Sequence, residues 1–179
     1  MRPEDNIKEI IATPEQIEEL CTNLGKKLTE DFKNKDVVFV GLLNGCNPFI
    51  SDLLKHVDLM VQVDYMRASS YHGTIKSSNE VKILKDLDLS VKGKSVVLID
   101  DIIDTGKTLK TLIKILEYKG ATEVKTVVLL DKRSARTEDY DADYVGLEIP
   151  KKFVVGYGLD YQEFYRNLPF IGVLKEEAI

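Results

Sequence analysis

The stretch from Val96 to Leu109, VVLIDDIIDTGKTL, contains three carboxylates and a glycine turn within a few residues. Asp100 and Asp101 follow an apolar run, and Asp104 comes just before Thr-Gly-Lys-Thr at 105–108. Backbone amides at a helix start form a positive nest that suits one phosphate monoester, and paired carboxylates accept hydrogen bonds from vicinal sugar hydroxyls. A ribose 5-phosphate fits both parts. Asp104 is then in position to act on the group at the anomeric carbon.

Other interpretations of the same letters fit less well. A Walker A loop requires a glycine five residues before Gly106, where this chain has Asp101, whose carboxylate would repel phosphates. Isoprenoid synthases present a DDxxD pattern from a helix in an all-α fold, whereas a β-branched run precedes it here. Phospho-receiver domains carry a similar acidic pair close to the N-terminus, whereas a strand, a helix and a strand precede it here. Solvated acids at a strand end are the remaining alternative.

Composition and charge limit the function classes. The chain has 179 residues, 44% of them apolar and 31% charged, with a net charge of -5, which predicts one soluble domain over 1–179 and disfavours nucleic-acid binding. No apolar run is long enough for a membrane span, and the N-terminus lacks the apolar core of a signal peptide. We therefore expect a cytoplasmic protein without a membrane partner. The two cysteines are predicted to be reduced and not to bind structural zinc.

Apolar strands that alternate with amphipathic helices predict an α/β fold, with a mostly parallel central sheet flanked by helices. A capping box at Thr13–Gln16 starts the first helix, and Gly120 ends the helix after the acidic stretch. The polar segment 67–80 has no periodicity and is predicted to be a mobile lid loop. The candidate strands are Val37–Leu43, Val61–Met66, Val81–Leu84, Ser95–Ile99, Val124–Leu130, Tyr144–Ile149 and Phe153–Tyr157.

Ligands of such sheets bind beyond the carboxyl ends of the strands. Four polar clusters follow candidate strands and should therefore lie at one edge. They are Asn44-Gly45, Asp100-Asp101, Asp131-Lys132 and Gly158-Leu159-Asp160.

With these segments in view, the chain resembles the type I phosphoribosyltransferases. VVLIDDIIDTGKTL is similar to their phosphoribosyl pyrophosphate motif. The block KFVVGYGLDYQEFYRNLPFIGVL, from Lys152 to Leu174, is similar to the members that act on hypoxanthine and guanine, and it is the most discriminating segment. The resemblance runs from about Ile10 to Leu174 and implies a small hood formed by the N- and C-terminal segments. It also implies transfer of a 5-phosphoribosyl group to N9 of a 6-oxopurine.

The resemblance assigns the ribose phosphate to one segment. Asp100 and Asp101 match the acidic pair that binds the ribose hydroxyls, partly through magnesium, and Asp104 matches the general base at purine N7. The 5-phosphate cradle matches Thr105, Gly106, Lys107 and Thr108.

The purine and the pyrophosphate are assigned to other segments. Lys132 matches the donor to the 6-oxo group, Phe153 the ring that stacks on the base, and Val154 the backbone that meets its far edge. An ammonium has only donors, so Lys132 favours oxopurines over adenine. Asn44, Gly45 and Arg166 match the pyrophosphate contacts, Asp160 the second magnesium ligand, Arg136 an arginine that positions the site, and Ser70 and Tyr71 the lid.

One departure from the family pattern is visible. The first loop usually reads Leu-Lys-Gly with a cis peptide before the lysine, whereas this chain has Asn44 there. Asn44 removes a positive charge near the pyrophosphate but keeps the backbone amides. The sequence leaves the order of preference among hypoxanthine, guanine and xanthine open. Family habit favours a homodimer or homotetramer, and a non-catalytic sensor of phosphoribosyl pyrophosphate is the alternative from another class.

Overall fold

The computed structural model describes residues 2–70 and 81–178. Its strands and helices alternate along the chain, and short 3-10 turns complete them. The elements are β1 (Ile7–Ala12), α1 (Pro14–Asp31), β2 (Val37–Leu43), α2 (Asn47–Leu54), β3 (Gln62–Ser70), β4 (Val81–Lys85), β5 (Ser95–Ile103), α3 (Lys107–Tyr118), β6 (Glu123–Asp131), β7 (Tyr144–Glu148), β8 (Val154–Val155) and β9 (Ile171–Leu174).

The central sheet has six strands in the order β4-β3-β2-β5-β6-β7. Strands β3, β2, β5, β6 and β7 are parallel to one another, and the edge strand β4 is antiparallel to β3. This confirms the predicted mostly parallel sheet. The order reverses at β2, because the chain moves outward to β3 and β4 and then returns to β5. Crevices at such a reversal are where α/β sheets bind ligands.

Helices cover both faces of this sheet. Helix α1 starts at the predicted capping box, with Thr13 Oγ1 accepting from the Gln16 amide and the Gln16 side chain accepting from the Thr13 amide. Alternate residues of β2 face opposite sides, so Phe39 packs in the core with α1 and α2 while Val40 packs in the core with α3. Each fully buried side chain of this size contributes about 1.5–3 kcal/mol. The packing fixes the strand ends that carry the polar clusters.

A second, smaller sheet has the order β1-β9-β8 and is antiparallel. It joins residues from both ends of the chain and confirms the hood. Strands β1 and β9 were not predicted as strands, because their pairing depends on partners that are distant in the sequence. None of the helices in the described ranges is both long and apolar enough to cross a membrane.

Three predicted boundaries were wrong. The lid was predicted to begin at Arg67, but β3 continues through Ser70, because its backbone pairs with β4 despite its polar side chains. Strand β5 continues through Ile103, so Asp100 and Asp101 lie inside a strand paired to β6. The strand predicted at Phe153–Tyr157 is reduced to Val154–Val155. The rest of the predicted lid, 71–80 with Tyr71, lies outside the described residues.

Candidate active site

Two cavities are lined by the chain segment 100–108 and by residues that meet it from elsewhere in the fold. The first, which we call the aromatic cavity, has a volume of about 330 Å³, and the second, the acidic cavity, about 230 Å³. The aromatic cavity is lined by Asp104, Thr105, Lys132, Ala135, Lys151, Lys152 and Phe153. The acidic cavity is lined by Leu42, Leu43, Asn44, Gly45, Ala68, Asp100, Asp101, Thr108, Asp160 and Arg166.

An ion pair lies in the wall of the aromatic cavity. Lys132 Nζ is 3.1 Å from Asp104 Oδ1, and the lysine side chain is 13% exposed while the aspartate is 50% exposed. Lys132 follows β6, and its amide donates to the Ile103 carbonyl at the end of β5. The two strand ends therefore bring a donor and an acceptor side by side at the cavity surface.

Phe153 supplies the aromatic wall. It lies just before β8, is 46% exposed and lines the cavity. The Tyr161 ring meets it edge-on, with centroids 5.7 Å apart and planes at 87°. An edge-to-face neighbour orients a ring and leaves one of its faces available for stacking. Sequence reasoning missed Tyr161, for which the only signal was its place in the C-terminal block.

Arg136 ties Asp104 to the neighbouring strand end. Its guanidinium donates to the Asp104 carbonyl at 2.5 Å and to Asp131 Oδ1 at 2.5 Å. The Arg136 side chain is 11% exposed and the Asp131 side chain 5%. Its Nε is buried and has no hydrogen-bond acceptor among the described residues. A charge-assisted contact of this kind is worth more than a neutral one. Arg136 thus contacts the main chain at Asp104 and not the cavities.

Helix α3 begins at the predicted phosphate cradle. Gly106 precedes the helix with φ +83, a left-handed conformation that disfavours a side chain. A Cβ there would also come within 3.2 Å of the Arg136 side chain. Thr105 Oγ1 accepts from the Lys107 amide at 3.3 Å, and the first amides of a helix have no intrahelical acceptor. Thr105 and Thr108 each line a cavity, whereas Gly106 and Lys107 line neither.

The carboxylates of the acidic cavity perturb one another. Burial, and next the adjacent charge of Asp101, raise the pKa of Asp100 well above its usual range. Burial also raises the pKa of Asp101, while hydrogen bonds and the charge of Arg166 act in the opposite direction. Each carboxylate accepts the next amide of the chain, from Asp101 to Asp100 at 3.0 Å and from Ile102 to Asp101 at 2.8 Å. Sugar hydroxyls or a cation would relieve this repulsion.

Gly45 lies in close contact with Asp101 on one side and with Gly158 on the other. A Cβ on Gly45 would fall 1.8 Å from Asp101 Oδ2, and a Cβ on Gly158 would fall 2.0 Å from the Gly45 carbonyl oxygen. Only glycine permits both approaches. The sequence left open whether a cis peptide precedes Asn44. The peptide between Leu43 and Asn44 is cis, and Asn44 is exposed at the cavity.

Arg166 reaches the other side of the acidic cavity. It donates to the Gly158 carbonyl at 2.7 Å and lies 3.0 Å from both Asp160 Oδ1 and Glu163 Oε2. The Arg166 guanidinium therefore already forms ion pairs with Asp160 and Glu163. Among the residues that the structure describes, no group of three or more His, Cys, Asp or Glu side chains forms a metal site by itself.

The structure thus brings most of the predicted site residues to two neighbouring cavities. Val154 is buried in β8 and lines neither cavity, and Ser70 is the last residue of β3. Lys151 and Lys152 line the aromatic cavity and Ala68 the acidic cavity, and the sequence interpretation did not single them out.

The phosphoribosyl transferase domain family matches residues 8–162. The chain belongs to this family, and the fold and the ribose phosphate motif agree with that membership. The hypoxanthine-guanine phosphoribosyltransferase of Streptococcus agalactiae is 51% identical over 174 residues, 97% of each chain.

Solved structures extend the comparison to the fold. A crystal structure of a hypoxanthine phosphoribosyltransferase from Staphylococcus aureus is 47% identical with a TM-score of 0.94, covering 98% of this chain and 95% of that one. The hypoxanthine phosphoribosyl transferase of Trypanosoma cruzi, solved in work on the role of its C-terminal region in oligomeric state and activity, is 34% identical. Its TM-score is 0.92, and the match covers 99% and 96% of the two chains.

Proposed function

We propose that this protein is a purine salvage enzyme. It transfers the 5-phosphoribosyl group of phosphoribosyl pyrophosphate to N9 of hypoxanthine or guanine and releases IMP or GMP and pyrophosphate. The observation that carries the proposal is the ion pair between Lys132 and Asp104 in the wall that Phe153 also lines.

This pair matches one edge of a 6-oxopurine. The 6-oxo group accepts a hydrogen bond and the adjacent N7–H donates one, so a lysine and a carboxylate 3.1 Å apart complement both. Adenine would present an amino donor to the donor Lys132, which leaves a buried donor unpaired and is unfavourable. Phe153 would stack on the face of the base. The named relatives act on hypoxanthine, or on hypoxanthine and guanine, in agreement with this proposal.

Phosphoribosyl pyrophosphate would occupy the segment 100–108 and the acidic cavity. The first amides of α3 and Thr108 would hold the 5-phosphate, and Asp100 and Asp101 the ribose hydroxyls. The pyrophosphate would meet Asn44, Gly45 and Arg166.

The charges of the acidic cavity favour a cation bound together with the pyrophosphate. It is lined by three carboxylates and one guanidinium, whose charge Asp160 and Glu163 already partner. Magnesium binds through one or two carboxylates together with substrate phosphates and needs no all-protein cage. Asp100, Asp101 and Asp160 fit that donor set, and magnesium bound there would neutralise the charge of the leaving pyrophosphate.

The reaction requires the transfer of one proton from the purine to the protein. Purine N9 forms a bond to the anomeric carbon while the bond from that carbon to pyrophosphate breaks. The N7 proton passes to Asp104 as N9 loses its electron pair to the new bond. Nearby carboxylates stabilise the positive charge that develops on the ribose ring. Lys132 holds the 6-oxo group, so that N9 is aimed at the ribose.

An absorbance assay with magnesium and phosphoribosyl pyrophosphate tests the proposal. Hypoxanthine and guanine should be converted, adenine and pyrimidines should not, and pyrophosphate should accumulate in equal amount. Xanthine belongs in the same panel, since the order of preference among oxopurines is open. A protein that binds phosphoribosyl pyrophosphate but converts no oxopurine would favour the sensor alternative instead.

The proposal extends to location and assembly. Phosphoribosyl pyrophosphate and both products carry phosphates that do not cross membranes unaided, so a cytoplasmic enzyme would meet them directly. We also propose a homodimer or homotetramer, since the C-terminal region of the T. cruzi relative has a role in its oligomeric state. Light scattering coupled to gel filtration measures the mass of the assembly.

A further inference from the structure

A left-handed turn follows β8 and leads into the acidic cavity. Three successive residues, Gly156, Tyr157 and Gly158, have φ values of +96, +49 and +96. Glycine adopts this conformation readily, but a tyrosine does so only where surrounding contacts hold it. The contacts of Tyr157 therefore indicate what keeps the turn in place.

The Tyr157 side chain is anchored in helix α2. It is 7% exposed, and its hydroxyl donates to Asp52 Oδ2 at 2.6 Å and lies 3.3 Å from the Pro48 carbonyl oxygen. Cys21 Sγ of α1 is 4.0 Å away. Helix α2 begins directly after the loop that contains Gly45, so Tyr157 and that loop are attached to the same rigid element.

The backbone next to Tyr157 meets the same loop. Gly158 packs against the Gly45 carbonyl, and a Cβ on Gly158 would also come within 2.9 Å of the Pro48 ring. The Gly158 carbonyl accepts from Arg166, and its amide donates to the Arg166 carbonyl at 3.0 Å. Asp160 follows two residues later. The turn thus links α2 to three residues that line the acidic cavity: Gly45, Asp160 and Arg166.

We infer that Tyr157 is a positioning residue for pyrophosphate. Its hydrogen bond to Asp52 holds the 156–158 turn against the Gly45 loop, so that the pyrophosphate contacts on both sides of the acidic cavity keep a fixed separation. The inference rests on the proposed function, because it assigns the acidic cavity to pyrophosphate. Tyr157 itself touches no substrate in this arrangement.

Tyr157→Phe tests the inference because it removes only the hydroxyl. The KM for phosphoribosyl pyrophosphate, and that for pyrophosphate in the reverse reaction, should rise about tenfold, the size expected for a lost hydrogen bond to a charged group. The KM for hypoxanthine should stay within about twofold, because the pair at Lys132 is unaffected.

Tyr144→Phe is the matched control. Tyr144 is also buried and donates to a helical aspartate, Asp31, at 2.7 Å, but neither residue lines the aromatic or the acidic cavity. Both variants should lower the Tm by similar amounts, and only Tyr157→Phe should change the KM for phosphoribosyl pyrophosphate. Equal Tm losses with an unchanged KM in both variants would overturn the inference.

Three further variants keep the test informative if Tyr157→Phe folds poorly. Asp52→Asn retains a neutral acceptor and should raise the KM for phosphoribosyl pyrophosphate by less than about threefold, whereas Asp52→Ala should reproduce the rise of about tenfold. Since Asp52 also pairs with Lys55 at 2.7 Å, Lys55→Met controls for loss of that ion pair and should leave the KM unchanged. If the wild-type protein converts no oxopurine, the proposed function fails. If the wild type is active and Asp52→Ala has a normal KM, only the role of Tyr157 fails.

Discussion

The two sides of the proposed phosphoribosyl pyrophosphate site are built in different ways. One side, the contiguous half, is the single segment 100–108, at the end of β5 and the start of α3. The other, the assembled half, consists of Asn44 and Gly45 from one loop and Gly158, Asp160 and Arg166 from another. The contiguous half takes its geometry from regular elements, whereas the assembled half depends on close approaches between loops. We therefore expect the two halves to fail differently when they are mutated.

The largest effect is expected in the contiguous half. Asp104→Asn keeps the side-chain shape but cannot accept the N7 proton, so kcat should fall by about 10²–10³ while the KM for phosphoribosyl pyrophosphate changes little. Steady-state kinetics measures kcat and the KM for phosphoribosyl pyrophosphate separately. The exposed Asp139→Asn is the control and should have wild-type kcat. An unchanged kcat for Asp104→Asn would remove the acid-base role.

Substitutions in the assembled half should weaken the binding of phosphoribosyl pyrophosphate. Gly45→Ala places a methyl group 1.8 Å from Asp101 Oδ2, so Asp101 or the loop must move, and the KM for phosphoribosyl pyrophosphate should rise on the order of 10- to 100-fold. A double-mutant cycle identifies the cause. If the clash is responsible, Gly45→Ala should add little in an Asp101→Ala background, and fully additive losses would argue against it.

The purine contact offers an intermediate case. Lys132→Ala removes a charged donor to the 6-oxo group, so the KM for hypoxanthine should rise about tenfold, and selectivity against adenine should weaken. Lys151→Ala, an exposed lysine of the same cavity, should change the KM by less than about twofold. An unaltered selectivity for Lys132→Ala would exclude this lysine from base recognition.

Asn44 allows the assembled half to be strengthened. Asn44→Lys adds a positive charge to a cavity whose charged residues are three carboxylates and one arginine. The KM for phosphoribosyl pyrophosphate should therefore fall about threefold, and less magnesium should be needed for half-maximal rate. Asn47→Lys adds the same charge at an exposed position outside that cavity and should have little effect. A higher KM for Asn44→Lys would show that the asparagine side chain is itself required.

The smallest expected effect is on stability. Because the pKa of Asp100 is raised in the folded protein, its ionisation disfavours folding above that raised pKa, and the penalty vanishes below the unfolded pKa of about 3.9. Asp100→Asn should therefore raise the Tm at pH 8, by about 2–4 °C for each 1 kcal/mol, and have little effect near pH 3.

Asp64 provides a comparison of opposite sign. Burial opposes its ionisation, but amides of Leu89, Tyr65 and Asp88 outweigh burial and lower its pKa. Its ionised form therefore stabilises the fold above the unfolded pKa, and this contribution is lost as the pH falls through the lowered folded pKa. Asp64→Asn should lower the Tm at pH 8. If both variants shift the Tm in the same direction there, the assigned pKa directions are wrong.

The same comparison explains what the sequence could predict. The contiguous half needs only a strand, a turn and a helix start, all of which have local signals, so the ligand type could be derived from Asp100 to Thr108 alone. The acids were nevertheless assigned to a loop, because nothing local reveals that β6 pairs as far as Ile103. The hood strands also depend on partners distant in the chain.

For the assembled half, local signals gave only a place. The pattern of strands put Asn44-Gly45 and Gly158-Leu159-Asp160 at the carboxyl edge of the sheet, but their roles, and Arg166 altogether, came from the family resemblance. The approach of Gly158 to Gly45 exists only in the folded chain. Tyr157 was predicted as strand, since an apolar run of FVVGY reads as strand by local propensity. Its left-handed backbone and its hydrogen bond to Asp52 are consequences of tertiary contacts.

The edge-on pair of Phe153 and Tyr161 has an optical consequence. The chain contains no tryptophan, so its near-ultraviolet absorption and emission come mainly from its eight tyrosines. One of these, Tyr161, lies 5.7 Å from the ring that lines the aromatic cavity. A purine that stacks on Phe153 would enter the immediate surroundings of this chromophore. The protein thus carries an intrinsic spectroscopic probe next to its proposed base site, where binding can be followed without a label.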